Sequence, residues 1–255
     1  MTTTHQLTPG SPGGRTVILV HGMEDNWRSW LPLARHLDPA WRVHALELPW
    51  NAGSDHAWRR HGSPGAVLGE LLGTAEARRA FPHVDLLVGH SMGSSAVLEL
   101  LTEVTIPAML IAPFYCPPEM AVTWSVFDRA RADFSRIIDQ SLELRLSRRL
   151  SRVEPDVGEA MLAKIRDRIG PIGFMAMFEA FLHTARLDLG AVTGPALVLA
   201  GDRDHAMGPA RAAALRRELP HAEFVVEPGF GHFLHVRHAE VAAAHLRAFL
   251  KEVTS

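Results

Sequence analysis

An α/β architecture, with a roughly six-stranded, mainly parallel sheet, helices on both faces and a helical insertion, follows from three observations in the 255-residue sequence. Short apolar, β-branched runs alternate with segments of helical periodicity in both end thirds of the chain, the pattern of strands joined by crossover helices. Over 117–189 the alternation stops and only helical periodicity remains. Between the apolar run Leu86-Leu87-Val88 and a helical segment lies Gly89-His90-Ser91-Met92-Gly93, a sharp turn in which a side chain at either glycine would collide with the neighbouring strand and helix.

Residues 1–15 are polar, rich in Gly and Pro, and read as a flexible, loop-like N-terminus. The run at 16–20 is a buried strand ending in His21-Gly22. A helix is expected at 27–37, where Trp30, Leu33, Ala34 and Leu37 share a stripe and Pro32 is tolerated in the first turn. A strand at 42–46 runs into a turn-rich loop at 47–55. A helix at 64–79, a strand at 84–88, the turn, its helix to about Leu101 and a strand at 108–112 follow. Within the insertion, helical periodicity divides into 124–138, 141–150, 156–169 and 173–184. The alternation resumes with a strand at 196–200, a helix at 209–218, a strand at 223–226 and a helix at 239–252. The expected organisation is a core of 16–116 and 190–255 with a lid of 117–189 inserted in it.

Composition narrows the function. A net charge of −2 and a charged share of 21% give no electrostatic reason for a nucleic-acid or anionic-membrane partner. The start lacks the basic and apolar segments of a secretory signal, and no run is long enough to span a bilayer, so a soluble, cytoplasmic protein without membrane insertion is expected. Cys116 is the only cysteine, which excludes an internal disulfide and a cysteine-based zinc site.

Ser91, lifted from the end of a strand, is placed as a nucleophile, but a serine hydroxyl needs a base, and the base needs an acid to hold its tautomer. Gly201-Asp202-Arg203-Asp204 follows the strand at 196–200 and supplies two carboxylates. Gly229-Phe230-Gly231-His232 precedes the last helix and supplies a histidine. The order Ser, Asp, His at successive strand ends fits this turn, with either Asp202 or Asp204 able to face His232.

With these motifs the chain resembles the small, lid-bearing members of the α/β-hydrolase superfamily, from about Thr16 to Leu250 apart from the insertion. The resemblance implies Asp204 as the acid, with Asp202 bracing its loop, and an oxyanion hole formed by the backbone N–H groups of Met23 and Met92. It departs from the family at Glu47-Leu48-Pro49-Trp50-Asn51-Ala52-Gly53-Ser54, where many relatives carry Asp-x-Pro-Gly-His-Gly, so that loop has its own shape. It also leaves no room for the first strand pair of larger relatives.

The expected activity is serine hydrolysis of an ester or thioester of a fairly apolar small molecule through Ser91, His232 and Asp204, without a cofactor. The same pocket also suits a lyase, cyclase or acyltransferase, or a ligand-binding receptor with little turnover. Candidate pocket residues are His21, Gly22, Tyr115, and Phe174, Met177, Phe178 and Phe181 of one helical stripe. His232, His235 and His238 recur every third residue, but no metal site is expected, since a catalytic His232 accounts for the first and a helix approach for the others. Arg145, Arg148, Arg149 and Arg152 read as a solvated helix face.

Overall fold

Every residue of Thr16–Val20, Leu86–His90, Ala108–Ile111 and Ala196–Gly201 is buried, as strands covered on both faces require. A computed structural model describes residues 3–253. In order, the elements are β1 (Thr4–Thr8), β2 (Thr16–Val20), α1 (Leu31–Ala34), β3 (Arg42–Leu46), α2 (Pro64–Leu72), α3 (Ala75–Ala80), β4 (Leu86–His90), α4 (Met92–Leu100) and β5 (Ala108–Ile111). The inserted helices α5 (Trp124–Leu150) and α6 (Pro155–His183) follow. Then come β6 (Ala196–Gly201), α7 (Pro209–Glu218), β7 (Glu223–Glu227), α8 (Leu234–Arg237) and α9 (Ala239–Val253).

The strands form one sheet in the order β1-β3-β2-β4-β5-β6-β7. All neighbours are parallel except β1, which runs antiparallel to β3 with Thr4 opposite Leu46. The sheet therefore has seven strands instead of six, and the stretch expected to be a flexible tail contributes one of them. The reason is physical: an edge strand is held by backbone hydrogen bonds and can keep a polar sequence. In Thr4–Thr8 only Leu7 packs against the core, while the His5 ring stacks 4.2 Å from Trp27.

Successive strand residues alternate between two cores. Ile18, Val20, Leu87 and Leu110 face Leu68, Ala96 and Leu215 of α2, α4 and α7. Val17, Leu19, Val88 and Met109 face Trp30, Leu33, Ala242 and Leu246 on the other side. From β2 the chain steps outward to β3, and β4 then returns to the other side of β2. The carboxyl ends of β2 and β4 thus flank a switch point, where sheets of this kind open a crevice.

The insertion differs from its expected helices in one place and agrees in another. Residues 139–140 hold no Gly or Pro, and the two expected helices fuse into α5. The gap expected between 169 and 173 is a break inside α6, at Gly170 (φ 50°, ψ −160°) beside Pro171. Among the described residues no helix is long and apolar enough to cross a membrane.

A Cβ built on Gly93 would lie 2.2 Å from the Val20 carbonyl oxygen and 2.6 Å from that of His21, whereas one on Gly208 meets nothing within 4 Å. Gly93→Ala is therefore expected to cost about 3 kcal/mol, the upper part of the overpacking range, and Gly208→Ala less than about 1 kcal/mol. Urea denaturation of the two variants checks this. Equal midpoints would show that β2 and α4 separate freely.

Candidate active site

The turn after β4 is built by close approach. A Cβ on Gly89 would stand 2.6 Å from Ser94 Cα and 2.7 Å from the Gly93 oxygen, so strand and helix meet there with no room for a side chain. Ser91 sits between them at φ 54°, ψ −121°, a conformation that costs an L-residue of order 1–3 kcal/mol. It is held by its neighbours: Ser91 N–H donates to the Ile111 carbonyl (2.9 Å), and Ser94 Oγ–H donates to the same oxygen (2.8 Å). The N–H of Met92 is the first of α4 and has no acceptor within the helix.

Asp204 and His232 come together as the sequence implied. His232 Nδ1 lies 2.9 Å from Asp204 Oδ1, with both side chains buried. The same carboxylate oxygen accepts the Ala206 N–H at 2.8 Å. Asp202 braces the loop by accepting the Gly229 N–H at 2.7 Å. With Nδ1 engaged by a carboxylate, Nε2 is the nitrogen free to take up a proton. It is buried without a hydrogen-bond partner, Ser91 included. Such contacts are commonly long or misaligned without substrate and tighten when it binds.

The loop after β2 brings Met23 to the same place. Its scaffold is a chain of hydrogen bonds through the segment that departs from the family pattern. Leu48 N–H donates to His21 Nε2 (3.0 Å), Trp50 Nε1–H donates to the His21 carbonyl (2.9 Å), and Glu24 N–H donates to the Trp50 carbonyl (3.0 Å). His21 Nδ1 then donates to the Gly22 carbonyl at 2.7 Å. Burial pushes the His21 pKa down to about 4, so its imidazole is neutral and works as a scaffold.

A cavity of about 60 Å³ opens on Ser91, Met92 and Met23. Phe114 of the core, Phe134, Ile138, Met177 and Phe181 of the insertion, and His205 and Arg211 complete much of its wall. Of the expected pocket residues, Met177 and Phe181 line it. The others do not, for identifiable reasons. His21 is spent on the β2 loop, and Gly22 packs under Ser91, where an added Cβ would lie 3.1 Å from Ser91 Cβ. Tyr115 is buried, with its pKa pushed up to about 12 by that burial. Phe174 and Phe178 each meet Phe127 edge-to-face inside the insertion, with ring centroids 5.1 Å apart.

Sequence reading missed the contact between the insertion and the β2 loop. Glu24, 1% exposed, pairs with Arg168 of α6 (Nη2 to Oε2, 2.7 Å) and faces His56 Nε2 at 3.5 Å. Arg168 also donates to the Ser54 carbonyl (3.3 Å), and Arg145 of α5 donates to the Glu24 carbonyl. An acidic residue right after the first turn was the only signal. Arg149 and Arg152 are exposed as expected, Arg145 departs from a solvated face by reaching the β2 loop, and the side chain of Arg148 lies outside the described residues.

A model of the alpha/beta hydrolase family matches residues 17–244. The chain is 30% identical, over 254 residues and 95% of its length, to the dihydrolipoyllysine-residue acetyltransferase component of an acetoin cleaving system from Pseudomonas putida. It covers 65% of that relative, less than two thirds. Among solved structures it is similar to the enol-lactonase from Burkholderia xenovorans LB400, with a TM-score of 0.65 at 19% identity over 98% of this chain and 96% of the other. It is also similar to an esterase from Thermogutta terrifontis, with a TM-score of 0.62 at 22% identity over 100% and 94%. At these identities the structural likeness shows the fold.

The buried His21 makes a pH dependence predictable. Its folded pKa of about 4 lies below the unfolded value of 6.5, so below pH 6.5 the unfolded chain takes up the extra proton. The contribution of neutral His21 is complete above pH 6.5 and is lost as pH falls toward 4, by about 3 kcal/mol at most. His21→Gln should flatten unfolding free energy against pH in that window. An unchanged slope would remove His21 from the buried scaffold.

Proposed function

The chain belongs to the alpha/beta hydrolase family, and on that premise we propose that it is a serine hydrolase cleaving an ester or thioester of a small, apolar acyl group. The observation that supports this most is the buried Asp204–His232 pair, with Nε2 of His232 unengaged, on the loop that follows β7. In this reading His232 removes the proton of Ser91, and Ser91 Oγ attacks the substrate carbonyl carbon. The oxyanion lies on the N–H groups of Met23 and Met92, each donor contributing on the order of 3 kcal/mol to the transition state. Collapse expels the alcohol or thiol, protonated by His232, and water then releases the acyl group by the same steps in reverse. The insertion acts as the lid, since α5 and α6 supply Phe134, Ile138, Met177 and Phe181 to the acyl cavity.

Acyl transfer to an acceptor other than water is a second reading, supported by the likeness to the acetyltransferase component from Pseudomonas putida. Product analysis with a thiol or alcohol acceptor present separates the two: transfer product in excess of free acid would favour it.

With an aryl ester as substrate, Ser91→Ala and His232→Ala are each expected to lower kcat by on the order of 10⁶-fold, and Asp204→Asn by about 10⁴-fold. Asp202→Asn, altered at the loop brace, should lose less than about tenfold. Near-normal turnover by Ser91→Ala ends the proposal, and a larger loss for Asp202→Asn than for Asp204→Asn reverses the assignment of the acid.

Acyl length gives an independent check. A cavity of about 60 Å³ admits a short chain, so kcat/KM should fall steeply from butyrate to octanoate esters, each misfit methylene costing about 1–3 kcal/mol. A profile rising to octanoate would remove the size limit.

A further inference from the structure

Three buried side chains converge behind the candidate catalytic residues, one from each segment that carries them. Asp25 lies two residues beyond Met23, His90 immediately precedes Ser91, and His235 is three residues beyond His232 on α8. They are 3%, 1% and 0% exposed, and one donor atom from each lies within 4.8 Å of the others. Asp25 Oδ2, His90 Nδ1 and both ring nitrogens of His235 have no hydrogen-bond partner. Four unpartnered polar atoms in one buried spot are costly unless something binds them.

We propose that Asp25, His90 and His235 form a site for one divalent transition-metal ion of the zinc class, tying the three loops together from behind. The donor set suits it: two imidazoles and one carboxylate favour zinc and its transition-metal neighbours over magnesium or calcium. The tautomer suits it too. His90 Nε2 lies 3.0 Å from the His232 carbonyl oxygen, which can only accept, so Nε2 carries the proton and Nδ1 presents its lone pair to the cluster. A ligand imidazole whose other nitrogen donates to a carbonyl is the usual outer-shell arrangement. Asp25 Oδ1 accepts the Asn26 N–H at 2.8 Å, leaving Oδ2 for the ion.

A water molecule would satisfy several of these atoms but leave the carboxylate without an ion-pair partner in contact with it. Asp25 makes no salt bridge among the described residues, and Arg145 turns an N–H to the Glu24 carbonyl instead. A dication in contact with Oδ2 supplies that partner. Tetrahedral bonds of about 2.0–2.1 Å place ligand atoms roughly 3.4 Å apart, so a site whose atoms lie within 4.8 Å of one another closes by up to about 1.4 Å. His235, with no hydrogen bond to break, can make that movement. A cleft of about 360 Å³ lined by Asp25, Ser29, Ser141, Arg145 and Phe233 gives an ion a route to the carboxylate.

This departs from the expectation of a metal-free chain, and the ligands are not the triplet that the spacing drew attention to. His232 is held by Asp204, and His238 stacks on Phe230 at 3.7 Å. None of the three ligands lines the acyl cavity, so the ion would position loops and take no part in bond breaking.

Co²⁺ titration of the chelator-stripped full chain tests the site. The wild type should take up one equivalent with the visible ligand-field absorption of four-coordinate Co²⁺, displaced by one equivalent of Zn²⁺. Asp25→Asn and His235→Gln should each weaken binding at least 100-fold, while His238→Gln binds as the wild type does. His235→Cys should add a thiolate-to-Co²⁺ charge-transfer band, which keeps the test decisive if the other variants fail to fold. Absence of the ligand-field band in the wild type overturns the proposal, as does a band unchanged in Asp25→Asn and His235→Gln.

Discussion

The structure depends on how closely the first turn of α4 lies against the end of β2. With no side chain at Gly89 or Gly93, the helix backbone comes directly under the carbonyls of Val20 and His21. That approach sets Met92 beside the loop carrying Met23 and lifts Ser91 out of the sheet in a strained conformation. The strain of order 1–3 kcal/mol is offset locally. Ala96, Val97 and Leu98 of α4 are fully buried, and each fully buried aliphatic side chain of Val or Leu size contributes about 1.5–3 kcal/mol. Ser94 and Ser95 add hydrogen bonds to the Ile111 and Phe114 carbonyls.

The second constraint is the buried ion pair between the β2 loop and the insertion. Glu24 is fully enclosed, and a carboxylate removed from water requires the cation that Arg168 brings from α6. Together with Arg145 on the Glu24 carbonyl, this contact relates α5 and α6 to the loop that positions Met23. The insertion and the loop carrying Met23 are thereby tied together, the same insertion that brings Phe134, Met177 and Phe181 to the cavity with Ser91.

What the sequence disclosed follows the range of the forces involved. Four of the six parallel strands were legible as short apolar runs whose burial is written into their own residues, and β3 and β7 as β-branched or apolar stretches between turns. The Ser91 turn was legible because its glycines answer a local steric demand, and Asp204 and His232 because strand ends carry their loops to the same edge of the sheet. Gly170-Pro171 showed as a gap because both residues break helices locally. β1 did not show, because backbone hydrogen bonds to β3 hold a polar strand regardless of its side chains. Nor did the Glu24–Arg168 pair or the meeting of Asp25, His90 and His235, whose members are separated by many residues and obey no periodicity. The phenylalanine stripe divided for a related reason: the helix places all of its members near one face, but the crossing of α5 over α6 decides which reach the cavity.

These constraints meet at His232. Its Nδ1 is held by Asp204 from the β6 loop, and its carbonyl accepts from His90 at the end of β4. A ring fixed at one nitrogen and at its own backbone has little rotational freedom left, so Nε2 keeps its direction before any substrate arrives. Burial without a partner, unfavourable in an inert core, leaves that nitrogen unengaged. Orientation is thus provided by the fixed core, and of Ser91, Asp204 and His232 only Ser91 borders the cavity.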